Sequence, residues 1–285
     1  MIRKGETMSS RKKKIAAAIF LFLAAVFLVG IFAAGTAEKH ETIKEVMRDA
    51  VLHEDNRINL FGFMTVSPAL ISAYTVTGII LVFALIVRLF IIPKFTDMPG
   101  PFQQLLELWV ETFDNLGKTN SPHRNKALGA YLFAAGSYIF VGTCFELFGL
   151  QAITTNGHPI AMPAPLADIN GAISMGVTSY LFILIGGVTA NKIKGIGLTL
   201  KEFSLPISMS FRLFGALLSG ALVTELVYYS IRLSFVLPVV VGVLFTLLHA
   251  LIQAYVLTML VSVFYGEVTE QHRSEPKKKK AKKRK

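Results

Sequence analysis

Six long apolar runs divide the chain, at residues 15–34, 67–93, 127–151, about 169–189, about 203–230 and 233–266, and most of the charge lies between or beyond them. At a rise of ~1.5 Å per residue, about 20 apolar residues cross a hydrocarbon core of ~30 Å. Each run is therefore predicted to be a spanning helix. The last two are joined by Ser230-Ile231-Arg232-Leu233 and exceed the core thickness, so they are predicted to form a tilted hairpin. The expected fold is an all-α polytopic membrane protein. It has five core transmembrane helices, including the long C-terminal hairpin, plus an N-terminal helix over 15–34. That helix follows a basic segment and ends in small residues, so it is either a signal sequence cleaved near Ala37 or a retained anchor. The expected units are 1–37, an extracytoplasmic segment at 38–66, the membrane domain at 67–267 and a basic tail at 268–285.

The polar intervals are less uniform. Residues 38–66 are charged, and His40 and His53 among Glu and Lys read as solvated. Within 97–126, Phe102, Leu105, Leu106, Trp109, Val110 and Phe113 recur at helical spacing, which predicts an amphipathic helix lying in the membrane interface. A Pro- and Gly-bearing loop is expected at 151–165. Lys192, Lys194, Lys201 and Glu202 mark a short hydrophilic turn.

Composition agrees with this class. Hydrophobic residues make up 53%, charged residues 16%, and the mean hydropathy is +0.56, too apolar for an ordinary soluble domain. The net charge of +11 belongs to the ends: +5 in residues 1–14 and +8 in 273–285, leaving −2 for everything between. Such tails fix topology and touch anionic lipid headgroups; no nucleic-acid partner is expected. Basic residues near the helix ends orient the chain, with 1–14, 94–126, 192–202 and the C-terminal tail cytoplasmic. Residues 152–168 carry no Lys or Arg and fall outside; Arg232 is the one exception to the rule. The single cysteine, Cys144, excludes a disulfide framework or a cysteine-built metal site. No Gly-rich phosphate loop is present, so nucleotide hydrolysis, a cofactor and a metal are not expected of this chain.

The candidate chemistry lies inside the spans. Arg212 stands in an otherwise apolar helix, where a fixed cation costs about 2.5–3.5 kcal/mol near mid-bilayer and cannot escape by losing a proton. At 100° per residue Gly215 and Ser219 share its face, with Ala216 beside them, a stripe that another helix could approach closely. Glu146, Asp168 with Asn170, and Glu225 are expected at one level near the outer ends of their helices. Glu225 lies about 20 Å along the axis from Arg212, so the two are not an intrahelical pair. Asp168 or Asn170 could equally be a helix N-cap. In the last helix Thr246, His249 and Gln253 fall within ~60° of one another. A polar stripe on each arm of the hairpin suggests an aqueous path.

The segment Pro206-x-Ser208…Arg212-Leu-Phe-Gly215, followed by Gln253-Ala254, resembles subunit a of F-type ATP synthases, the ion-channel stator of the membrane sector. Three other segments are similar to that family: Pro99-Gly100-Pro-Phe102-Gln103…Glu107-Leu108, Pro165-Leu-Ala167-Asp168-Ile-Asn170…Ser174-Met175 and Lys192-Ile-Lys194-Gly195-Ile-Gly197. The resemblance covers roughly 67–267. It implies an essential arginine at Arg212, a glutamine near it at Gln253, and a place for Ser208 in the ion pathway. It also implies a c-subunit ring and b-type peripheral-stalk subunits as partners, a bacterial plasma membrane, and a non-catalytic channel role coupling H⁺ or Na⁺ flow to ring rotation. Departures are found where the family commonly has Asn (Ala216 here), where an acidic residue or His often stands nine positions past the arginine (Ala221), and at that residue's usual partner position (Thr246). An Asn and a Pro common near Glu146 are absent, and 197–206 is short. Glu146, Glu225 and His249 are thus assigned from depth and facing alone. A secondary ion transporter would show matching Gly- or Pro-broken halves, which are not found, and a membrane assembly factor has no need of Arg212, His249 and Gln253 in its spans.

Overall fold

The computed structural model describes residues 58–60, 64–123, 125–153, 159–229 and 237–270, and in the N-terminal run Ile15, Leu21, Phe22, Ala25, Val26 and Val29, all helical. The signal-or-anchor boundary near Ala37, His40 and His53, Arg232 and the basic tail lie outside the described residues, as does the side chain of Glu225.

Prolines set where the first helices begin. Pro68 opens α1 (Pro68–Ile86) and Pro101 opens α2 (Pro101–Asn120), each in the first turn, where its missing N–H is not needed. Helix α1 continues through a π turn at Val87–Ile91 and a 3-10 turn at Ile92–Lys94, giving a 27-residue rod. Helix α3 (Asn125–Phe145) runs into a 3-10 turn at Glu146–Phe148 and stops at Gly149, whose φ of +56 is the left-handed conformation that glycine adopts freely. Helices α4 (Ile169–Asn191), α5 (Ile193–Lys201), α6 (Ser204–Tyr229) and α7 (Leu237–Thr269) follow.

Four helical stretches, Pro68–Lys94, Asn125–Phe148, Ile169–Asn191 and Gly242–Thr269, are long and apolar enough to cross a membrane, and α5 with Ser204–Gly220 makes a fifth bent by 48°. The all-α polytopic expectation holds. Two short antiparallel hairpins are additions to it: β1 (Ile58–Leu60) with β2 (Met64–Val66), and β3 (Gln151–Ile153) with β4 (Pro159–Ala161).

One expectation needs correction. Residues 192–202 are not a simple turn, because 193–201 form α5. Lys192 reverses the chain with φ 52 and ψ −131, and Gly195 then lies so close to Gly187 of α4 that a Cβ there would overlap its backbone. Thr199 accepts a hydrogen bond from Tyr180 Oη at 3.1 Å through its carbonyl, so tertiary contacts support a helix whose glycines and lysines read as a loop. Helix α2 is the amphipathic helix expected within 97–126, with one added feature. Its apolar stripe divides, with Trp109 and Phe113 turning into the bundle against α3 while Phe102, Leu105 and Val110 stay exposed. Trp109 Nε1 donates to Ser137 Oγ at 2.9 Å, and a Cβ at Gly136 would overlap the Phe113 ring.

Helix α7 is the central post, packing against α2, α3, α4 and α6. Leu128, Leu132 and Ile139 of α3, Ile183 of α4, Met209 and Leu213 of α6, and Leu257 and Val261 of α7 form the core. Tyr131, Phe182 and Tyr265 stack across α3, α4 and α7 with centroids 4.2 and 5.2 Å apart. The bundle has two distinguishable ends. The hairpin end holds Glu146, β3–β4 and Asp168; the lysine end holds Lys118, Lys126, Lys192, Lys194, Lys201 and the last turn of α7.

Candidate functional site

Helix α6 presents two contrasting faces. Leu205, Met209, Leu213 and Leu217, at a spacing of four, are buried against the bundle. Ser208, Arg212, Gly215 and Ser219 lie roughly 100–140° away around the helix and are exposed. A Cβ built at Gly215 or Gly220 meets nothing within 4 Å. The small-residue stripe predicted for close approach therefore exists, and the other described residues leave it uncovered. Close approach occurs elsewhere on α6, at Ser210, whose Oγ bonds the Pro206 carbonyl at 2.7 Å and would collide with any Cβ at Gly176 of α4.

Gln253 lies behind Arg212. It is 6% exposed, and its Nε2 donates to the Arg212 carbonyl at 3.5 Å, the long limit of a hydrogen bond. Its Oε1 is buried with no partner among the described atoms. An orphaned amide oxygen is costly unless something else serves it, a water or an N–H donor. Arg212 and Gln253 are thus adjacent through backbone and side chain, with the guanidinium pointing to the outside of the bundle.

Nearer the hairpin end is a small cavity of ≈ 20 Å³, about the room one water requires. Glu146 of the turn after α3, Ala216, Leu217 and Gly220 of α6, and Phe245, Thr246 and His249 of α7 line it. His249 Nδ1 lies 2.8 Å from the Phe245 carbonyl. A carbonyl only accepts, so Nδ1 carries the proton in that bond and Nε2 is the nitrogen left to take one up. Stacking on Phe245 at 5.7 Å holds the ring. The fold has brought together a carboxylate and an imidazole from residues over a hundred positions apart.

The other candidates are placed differently. Asp168 caps α4: one carboxylate oxygen accepts from the Asn170 N–H at 2.8 Å and the other from Ser67 Oγ at 2.6 Å. It does not line the cavity, and Asn170 is exposed beside it. Glu225 sits on helical backbone nine residues past Ala216. Sequence reasoning missed Thr143, buried to 1% on α3 with its Oγ1 unpartnered among the described atoms. Its spacing of three from Glu146 puts both on one side of α3, a signal that was available.

These features define a class: an apolar, multi-pass helical bundle that holds a fixed cation on an uncovered face, beside a buried amide and a polar cavity. Comparison with known proteins narrows it. The family described as "ATP synthase A chain" matches residues 69–266, and the chain belongs to that family. It is similar to "ATP synthase subunit a" of Histophilus somni (strain 129Pt), 27% identical over 199 residues, or 59% of this chain and 74% of that one. It is also similar to "ATP synthase subunit a, chloroplastic" of Stigeoclonium helveticum, 27% identical over 229 residues, or 74% and 88% of the two chains. "ATP synthase subunit a 1" of Methylococcus capsulatus is 24% identical over 207 residues, covering 61% and 77%. The protein is accordingly a multi-pass membrane subunit of an ATP synthase and associates with other subunits of that complex.

Proposed function

We propose that this chain is the ion-translocating stator of a rotary F-type ATP synthase, a non-catalytic subunit in which Arg212 couples ion flow to rotation of a c-subunit ring. The observation that carries the reading is the open face of α6: a guanidinium among Ser208, Gly215 and Ser219, uncovered by the other described residues. Lipid cannot satisfy such a charge, whereas a ring of carboxylate-bearing helices can, and the small residues let those helices come near.

The mechanism follows from electrostatics. A ring carboxylate must be neutral to face lipid, because a bare charge there is prohibitively costly. Beside Arg212 its ionised form is favoured, since an opposite charge within about 4–6 Å lowers a carboxylate pKa by one to three units. The bound ion leaves on one side of the arginine and another is taken up on the other side. The same fixed cation opposes direct passage of H⁺ or Na⁺, so flow has to turn the ring. Gln253 supports this by occupying the Arg212 backbone from behind and offering an unused acceptor on the route.

On the hairpin side the inlet runs past Glu146 and His249, which line one cavity against Ala216 and Gly220. Asp168 and Asn170 border that inlet, Glu225 attracts cations to it, and Ser208 flanks Arg212 toward the other side. In this reading the hairpin end faces the exterior of a bacterial plasma membrane, the lysine end and the C-terminal tail face the cytoplasm, and b-type stalk subunits hold the chain against rotation.

The test is Arg212→Ala in assembled complexes. Inverted vesicles should lose ATP-driven ion uptake entirely while the subunit remains inserted, since replacing Arg by Ala eases insertion. Normal uptake in that variant defeats the reading.

A further inference from the structure

The last two turns of α7 are held unlike the rest of that helix. Three consecutive backbone carbonyls at and just past its end, those of Val268, Thr269 and Glu270, have no backbone partner among the described residues. Side chains from two other segments take them: Asn191, the last residue of α4, donates Nδ2 to Val268 O at 2.8 Å and to Glu270 O at 3.1 Å, and His123 Nε2 lies 3.1 Å from Thr269 O. A turn earlier Asn120, the last residue of α2, donates Nδ2 to Ser262 Oγ at 2.9 Å, and Ser262 Oγ donates to Leu116 O at 2.8 Å.

Glycines make the fit tight. A Cβ at Gly186 would overlap the Tyr265 ring, one at Gly187 would overlap Val268, and one at Gly266 would overlap the Asn120 carbonyl. Sliding α7 by one residue, ~1.5 Å along its axis, would misplace all of these contacts together. At the other end Leu244, Leu247, Leu248, Leu251 and Ile252 are exposed, and an exposed apolar face sets no axial position.

We infer that this lock at the lysine end fixes the height of α7, and through it the register of Gln253 against Arg212, with Asn191 and Asn120 as the positioning residues. The inference rests on the stator reading for its functional half. Helix α7 acts as a lever clamped at one end: Gln253 lies nine residues, or ~13 Å, from Ser262, close enough for a rigid helix to carry the register. Neither asparagine touches Arg212 or the cavity, so each acts only through α7.

A disulfide is a suitable ruler, because it closes only at Cα separations of about 4.4–6.8 Å with aligned Cβ vectors. In a Cys144→Ser background, Thr246→Cys is paired with Gly220→Cys or Ala216→Cys, whichever closes faster; all three positions line the same cavity. Asn191→Leu should slow cross-linking roughly tenfold, the shift expected for losing two hydrogen bonds of ordinary net strength. Asn120→Leu should act in the same direction, and Asn191→Gln, which keeps the donor, should restore most of the rate. ATP-driven ion uptake in the same membranes should fall and recover in step. Should Asn191→Leu not insert, the near-isosteric Asn191→Asp, which lacks the donor pair, takes its place. Unchanged cross-linking in both asparagine variants overturns the lock, and slowed cross-linking with full uptake overturns its link to Gln253. Failure of the stator reading would show instead as Arg212-independent uptake, while cross-linking still decides the register.

Discussion

Helix α1 and the open face of α6 are both left bare by the other described residues, yet they require different neighbours. On α1 and the turns that continue it the exposed side chains include Tyr74, Leu81, Val82, Phe83, Leu85 and Leu89, with charge only toward the end, at Arg88 and Lys94. Acyl chains cover such a surface fully. The face of α6 shows Ser208, Arg212, Gly215 and Ser219, which acyl chains cannot satisfy. Exposure alone therefore says little in a membrane protein. The chemistry of the exposed face separates a lipid sleeve from a docking track.

That contrast can be broken or sharpened by substitution. The largest effect is expected at Arg212→Lys, which keeps a charge but loses the planar fork and can deprotonate when desolvated; nearly all ATP-driven uptake should disappear, measured by dye quenching in inverted vesicles. Next, Gly215→Trp should block assembly with the ring, whereas Leu81→Trp should leave it intact, read by co-purification of the c subunit. Equal recovery in both would mean that the α6 face is a second lipid surface. Leu81→Arg puts the same cation on the lipid sleeve near mid-span and should cost about 2.5–3.5 kcal/mol, roughly a hundredfold in insertion equilibrium, scored by protease protection. The smallest change is expected for Glu146→Gln, which removes a cation-concentrating charge from the cavity but spares the arginine barrier. Uptake should fall roughly three- to tenfold with coupling preserved, and full uptake would reduce Glu146 to a packing role.

What could be read from the chain follows the same division. The spans were legible because a hydrocarbon core demands about 20 apolar residues in a row, and each described spanning helix falls near its predicted limits. Arg212 stood out because a guanidinium raises the insertion cost of such a run, whereas the adjacency of Gln253, seen as its bond to the Arg212 carbonyl, was expected from the family resemblance alone. Helix α5 was not, since Gly195 and Gly197 argue locally for a loop and only the contact with Gly187 makes a helix there. The strands β3 and β4, three residues each, carry too little pattern to stand out. Helical facing correctly put Thr246, His249 and Gln253 on one side of α7, but it could not reveal that Glu146 closes a cavity with two of them while Asp168 spends both carboxylate oxygens on Ser67 and its own helix cap. Such pairings depend on how helices cross, and one helix's sequence does not contain that information.

The position of α7 at the centre of the bundle has a consequence for biosynthesis. The helix that α2, α3, α4 and α6 all pack against is also the last of the described helices to be made. At about 5–20 residues per second, some seconds pass between emergence of Asn191 and of Val268, to which it bonds. During that interval Gly186, Gly187 and the Tyr131–Phe182 stack face an empty slot. Among the described helices, the nascent bundle is therefore an open clasp that its C-terminal helix closes, and a chain released before residue 237 lacks the Tyr265, Val268 and Thr269 contacts that complete it.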